Sequence, residues 1–97
     1  MKNVMILQIN DDAAEREYKL FEPYHRVIKR YGKISPNDYK VIYFGKIPNG
    51  STLEDIYAMF NLYHPEDYKG HSLSVSDIIV VDNHMYYVDS YGFRCLD

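Results

Sequence analysis

The chain has one cysteine, Cys95, and no tryptophan. A single thiol cannot close an internal disulfide, so the fold relies on its core alone, and a reducing cytoplasm suits it. Glycine and proline are sparse, at five and four residues. The glycines stand singly, at positions 32, 45, 50, 70 and 92, so neither a P-loop nor a dinucleotide fingerprint can be drawn. No apolar run approaches the roughly 20 residues of a membrane span. The N-terminal run from Val4 to Ile9 is interrupted by Gln8 and followed by Asp11 and Asp12, unlike a signal peptide. A long basic run is also missing. Eleven Lys and Arg stand against fourteen Asp and Glu, giving a formal net charge of −3. Non-specific nucleic-acid binding rests on phosphate neutralisation, and this balance argues against it. These absences point to an intracellular, cytoplasmic protein without a membrane partner.

What is present suits one domain spanning residues 1–97. The chain is too short for two domains and long enough for a single unstapled core, and 46% of it is hydrophobic. Eleven tyrosines and four phenylalanines dominate the aromatic content. Tyrosine joins a large apolar ring to a polar tip, so it fits half-buried strand positions with wet edges.

Residues Asn3 to Asn10 are apolar on both faces and read as a strand covered on both sides. Asp12 and Glu15 fit a capping box, with Ala14, Tyr18 and Phe21 on one helical face, so a helix is expected from there to Pro23. Tyr24 to Asp38 reads as an irregular connection containing a short helix over Tyr24 to Tyr31. Tyr39 to Ile47 is aromatic and β-branched, as strands prefer. Ser51 and Glu54 suggest another capping box, opening a helix on which Leu53, Ile56, Tyr57 and Phe60 share a face. His64-Pro65 ends it. Pro65 to Asp77 is polar and reads as exposed. Ile78 to Val81 and Met85 to Asp89 form a hairpin around Asp82-Asn83-His84, and Phe93 to Leu96 adds a last short strand. The fold expected is α+β: a mainly antiparallel sheet of four to five strands with two helices on one face, in the order β-α-β-α-β-β.

Two constellations invite a chemical reading. His64, Glu66, Asp67 and His71 fall within eight residues, with Asp77 beyond, but Pro65 breaks the backbone and no His-x3-His or Cys pair exists. Ser72, Ser74 and Ser76 alternate beside His71 and Asp77. Neighbours on an extended strand point to opposite faces, so His71 is badly placed to activate Ser72. Neither a metal centre nor a nucleophilic triad survives this geometry. The serines are better explained as hydrogen-bonding loop backbone into the Ile78 strand.

One composite word goes further. Leu53-Glu54-Asp55-Ile56-Tyr57, Phe60-Asn61, His64-Pro65-Glu66-Asp67-Tyr68, Gly70-His71-Ser72-Leu73-Ser74-Val75-Ser76-Asp77, Tyr86-Tyr87-Val88-Asp89-Ser90 and Gly92-Phe93 together resemble the YodL-like domain. The resemblance covers the last half of the chain closely and the first half more loosely. It implies a bacterial or phage origin, often within mobile elements. It implies a binding or regulatory role and supplies no catalytic residues and no cofactor.

The function expected is therefore a small non-enzymatic interaction or regulatory module with a protein partner, host or element-encoded. Its candidate binding residues are His64, Glu66, Asp67, Tyr68, His71, Ser72, Ser74 and Asp77. A nucleic-acid-binding accessory role through Arg26, Lys29, Arg30 and Lys33 is the alternative, and a metal-dependent hydrolase using the His64 to Asp77 cluster ranks last. A homodimer through a sheet edge at Tyr86, Tyr87 and Val88 is a further expectation.

Overall fold

A computed structural model describes residues 1–97. Five strands form one antiparallel sheet: β1 (Lys2–Ile9), β2 (Tyr39–Ile47), β3 (Ile78–Val81), β4 (His84–Val88) and β5 (Phe93–Cys95). Their spatial order is β2-β1-β3-β4-β5, which puts β1 inside the sheet, next to β3. Two helices, α1 (Tyr24–Tyr31) and α2 (Leu53–Leu62), complete the α+β architecture. No helix is long and apolar enough to cross a membrane.

Alternation along β1 decides which helix goes where. Val4 and Ile6 point to one face and Met5 and Leu7 to the other. The first face is the core proper. Val4, Ile6, Ile79 and Val81 pack there with Ile56 and Phe60 of α2, and Tyr68 and Leu73 close the same cluster. Phe60 is fully buried, which contributes about 1.5–3 kcal/mol by removing its ring from water. Helix α1 lies on the opposite face. Its Val27 is buried near Ile9, Tyr39 and Tyr87, and the Tyr24 ring meets Tyr87 edge-on at 5.6 Å. The helices thus sandwich the sheet instead of sharing one face. The cause is that both faces of β1 and β3 are apolar, and α2 with the 64–77 segment already fills one of them.

The helix expected from Asp12 to Phe21 is absent. A short 3-10 turn, Arg16–Tyr18, stands in its place, flanked by left-handed backbone at Glu15 (φ 54°) and Phe21 (φ 64°). Tyr18 and Phe21, the face that such a helix would bury, are both about half exposed, so a helix there would gain little burial. The segment is instead committed to its neighbours: the Arg30 guanidinium lies 4.1 Å over the Tyr18 ring, and Lys19 Nζ bonds Asp38 at 2.9 Å. Tertiary contacts outweigh the local propensity. Helix α1 begins where another element caps it, because the Tyr24 N–H donates to Asp89 Oδ1 at 3.1 Å. It ends at Gly32, whose φ of 81° glycine adopts without strain.

Tyr86 to Val88 do not form an edge. Strand β4 is paired on both sides, to β3 and β5, so the free edges belong to β2 and β5. Strand β2 carries a bulge: Ile6 faces Tyr43 and Leu7 faces Val41, leaving Ile42 as the extra residue.

Helix α2 starts one residue later than the Ser51–Glu54 reading. Thr52 is the N-cap: its hydroxyl accepts the Asp55 N–H at 3.1 Å, and the Asp55 carboxylate accepts the Thr52 N–H at 2.9 Å. Those bonds hold the Asp55 carboxyl below its ordinary value. Thr52→Ala is expected to remove about 1 kcal/mol of stability, lowering Tm by about 4–8 °C in thermal unfolding. Ser51→Ala should stay within about 0.5 kcal/mol of the parent. The reverse pattern would return the cap to Ser51.

Candidate functional site

The segment between α2 and β3 was expected to be an exposed polar loop, and four of its residues are buried. Tyr68, Leu73, Ser76 and Asp77 are all inside, the last two completely. Polar side chains reach the interior only when partnered, and the partner here is Gln8. That residue sits 2% exposed near the C-terminal end of β1, on the α2 face. Its Nε2 lies 3.1 Å from Tyr68 Oη, 3.1 Å from Asp77 Oδ2, 2.9 Å from the His71 carbonyl and 3.1 Å from His71 Nδ1. Two protons cannot serve four acceptors together, so the NH2 group is fully engaged. Tyr68 Oη in turn donates to the His71 carbonyl at 2.6 Å, and the Ser74 N–H donates to Asp77 Oδ2 at 2.8 Å.

Ser76 ties the segment to its other neighbours. It holds a left-handed backbone (φ 86°), and its carbonyl accepts the Tyr39 hydroxyl at 2.6 Å. Its hydroxyl accepts the Phe21 N–H at 3.0 Å, and its own N–H donates to the Val88 carbonyl at 2.9 Å. The Ser74 hydroxyl donates to the Ser72 carbonyl at 2.8 Å. These serines bond the backbone, as their pattern suggested.

The electrostatics of the network turn on Asp77. Burial pushes its carboxyl up to about 7, against the opposing pull of the Ser74 amide, His71 and Gln8. Its Oδ1 has no hydrogen-bond partner and faces His71 Nε2 at 3.9 Å. The His71 ring is 38% exposed, so the pair spans the boundary between core and solvent. Burial also raises the Tyr68 phenol.

Among the candidate binding residues, the structure brings Tyr68, His71, Ser74 and Asp77 together around Gln8. It leaves His64, Glu66, Asp67 and Ser72 exposed on the rim. The donors read as a metal set do not converge. The side chains that do bring donor atoms within 4.8 Å are His84, Cys95 and Asp97, all exposed on the β4–β5 ribbon. Arg26, Lys29 and Arg30 are exposed on one side of α1, where Arg26 Nη1 lies 3.8 Å from Glu22. Lys33 follows the Gly32 cap.

A second feature lies across the sheet. Helix α1 covers only one end of its face, and beyond it an open groove of about 720 Å³ runs over the strands. Met5, Leu7, Val80 and Met85 form the floor, Ile28 of α1 forms one wall, and Lys33 is the single charged residue of the lining. Val41 and Phe44 of the β2 edge stay 55% and 62% exposed. Sequence reasoning missed this surface because an apolar strand position looks the same whether its face is covered or bare. It also passed over Gln8 as a mere interruption, although a lone carboxamide inside an apolar strand signals a buried polar network.

Fold and geometry together define a small α+β domain with one sheet face sealed by a polar-stapled segment and the other face partly open. The chain belongs to the YodL-like domain family, whose model matches residues 3–97. No curated protein and no solved structure matches the chain.

The raised Asp77 value has a definite sign. The unfolded carboxyl titrates near 3.9, and the folded one near 7. The folded state therefore holds the proton more tightly, and this group's stabilising contribution falls as pH rises from about 4 to 7. Asp77→Asn should gain on the wild type by on the order of 2–4 kcal/mol between pH 4.5 and 7.5, read from urea unfolding at each pH. Parallel profiles for the two proteins would mean that the folded carboxyl is not held neutral.

Proposed function

We propose that the chain is a non-enzymatic regulatory module that binds a protein through the groove beneath α1. The observation that carries this reading is the apolar groove floored by the half-buried Met5, Leu7, Val80 and Met85, with Val41 and Phe44 exposed beside it. A mostly apolar concavity with few polar groups is the kind of surface that ligands and partner segments occupy. The His64 to Asp77 segment supports the reading indirectly, because its buried residues hold the scaffold and only its rim is free.

The charge around the groove selects the partner. The lining carries Lys33 and no carboxylate. A matching occupant is an amphipathic segment with an apolar face and acidic flanks, laid along the groove. A bacterial or phage regulatory partner fits the setting that the family resemblance implies. The alternative, nucleic acid held by Arg26, Lys29 and Arg30, would use a different side of α1, and salt dependence separates the two, since phosphate contacts are lost steeply with added salt.

A photo-crosslinking residue placed at Met85, in the groove, and separately at Glu66, on the loop rim, tests this in source cells. Adducts are expected from position 85 and not from position 66, and mapping should place them in an apolar segment flanked by Asp or Glu. Adducts confined to position 66 would move the binding surface to the loop. Nucleic-acid adducts from position 85 would replace the protein partner.

A further inference from the structure

Where β1 and β2 leave the sheet, a separate cleft of about 500 Å³ opens beside the Gln8 network. Arg16, Lys40 and Lys69 line it, together with Gln8, Gly70 and His71. Only Val41 borders both this cleft and the α1 groove.

Cationic donors here outnumber acceptors. The cleft contains a single carboxylate, Asp11, and its side chain is 86% exposed. It stands 3.7 Å from Arg16 Nη2 and 3.6 Å from Lys40 Nζ, well beyond the roughly 2.7–2.9 Å of a charge-assisted hydrogen bond. Lys69 makes no salt bridge and no side-chain hydrogen bond, and Arg16 Nε is buried without a partner. Buried donors are nearly always satisfied, so an orphaned guanidinium nitrogen beside a cleft marks a place where an acceptor belongs.

The backbone adds to this. The N–H groups of Lys69, Gly70 and His71 make no hydrogen bond within the chain. Gly70 is held against Gln8 and Ile42 so closely that a Cβ there would overlap the Gln8 amide oxygen and Ile42 Cδ1. A Cβ there would have to displace the ends of the Gln8 and Ile42 side chains at the point where Gly70 lines the cleft. Free amides of a tight glycine-containing loop, joined by lysine and arginine, are the donors that oxyanions take.

We propose that this cleft binds a phosphate group carried by a small molecule, held by Arg16, Lys40 and Lys69 and by the 69–71 backbone. Three cations against one poorly paired carboxylate favour a dianion over a monoanion, which selects phosphate over carboxylate. The site is independent of the α1 groove and survives the failure of that reading.

Titration of the 15N-labelled chain with inorganic phosphate at low ionic strength tests the site. Saturable shifts are expected at the Gly70 and His71 amides and the Gln8 side chain, with acetate binding about tenfold more weakly. Lys40→Gln and Lys69→Gln replace exposed side chains and should each weaken phosphate about tenfold. Lys46→Gln, which lies outside the cleft, should leave the affinity unchanged. The proposal is overturned by shifts spread over all lysines, by acetate matching phosphate, by Lys69→Gln leaving binding intact, or by no saturable shift.

Discussion

The carboxamide of Gln8 is the interaction on which this fold depends. It places a buried polar group near the end of a strand whose preceding residues on that face, Val4 and Ile6, are wholly buried. Such a group is tolerated only if its hydrogen bonds are satisfied, and the acceptors come from Tyr68, His71 and Asp77, some sixty to seventy residues later. The segment that supplies them is thereby drawn onto the sheet, and Tyr68 and Leu73 join the core with α2. A buried network of this kind is worth having only when complete. Asp77 is the exception within it: one oxygen is bonded and the other faces the half-exposed His71. The strain of burying that carboxyl appears as its raised titration value.

Sealing one face of the sheet in this way decides the character of the other. Helix α1 has eight residues, about 12 Å of length at 1.5 Å per residue, and cannot cover three strands alone. The remaining floor of Met5, Leu7, Val80 and Met85 is only partly covered. The chain between β1 and β2 contributes cations to both surfaces: Arg16 to the cleft beside Gly70, and Lys33 to the groove.

Much of the fold was legible in the sequence, for identifiable reasons. Strand β2 was readable at both ends because aromatic and β-branched residues run from Tyr39 to Ile47 between turn formers. Strand β3 was readable because four consecutive apolar residues precede Asp82-Asn83. The α2 cap slipped by one residue because Ser51-Thr52 offers two hydroxyls and Glu54-Asp55 two carboxylates. The helix over Asp12 to Phe21 failed because a capping pattern carries no information about whether the apolar face will find a surface. The site was less legible. His71, Ser74 and Asp77, read in the sequence as parts of an exposed binding loop, lie together in the Gln8 network, because composition alone marks a polar stretch as exposed. Nothing local in the 64–77 stretch indicates that Gln8 is waiting for it across the sheet. The groove was invisible for the same reason, since coverage of a sheet face is a tertiary property.

The central claim is that residues 64–77 belong to the core through Gln8 and are not a loop resting on it. Native-state hydrogen exchange at the Ser74 and Asp77 amides measures this directly, since these N–H groups bond to Asp77 Oδ2 and to the Ser74 carbonyl. In the wild-type chain both should exchange about as slowly as the β1–β3 ladder. In Gln8→Leu both should accelerate while the ladder amides of Ile79 and Val81 keep more of their protection. Fast exchange at Ser74 and Asp77 in the wild type, or unchanged protection in Gln8→Leu, would contradict the account.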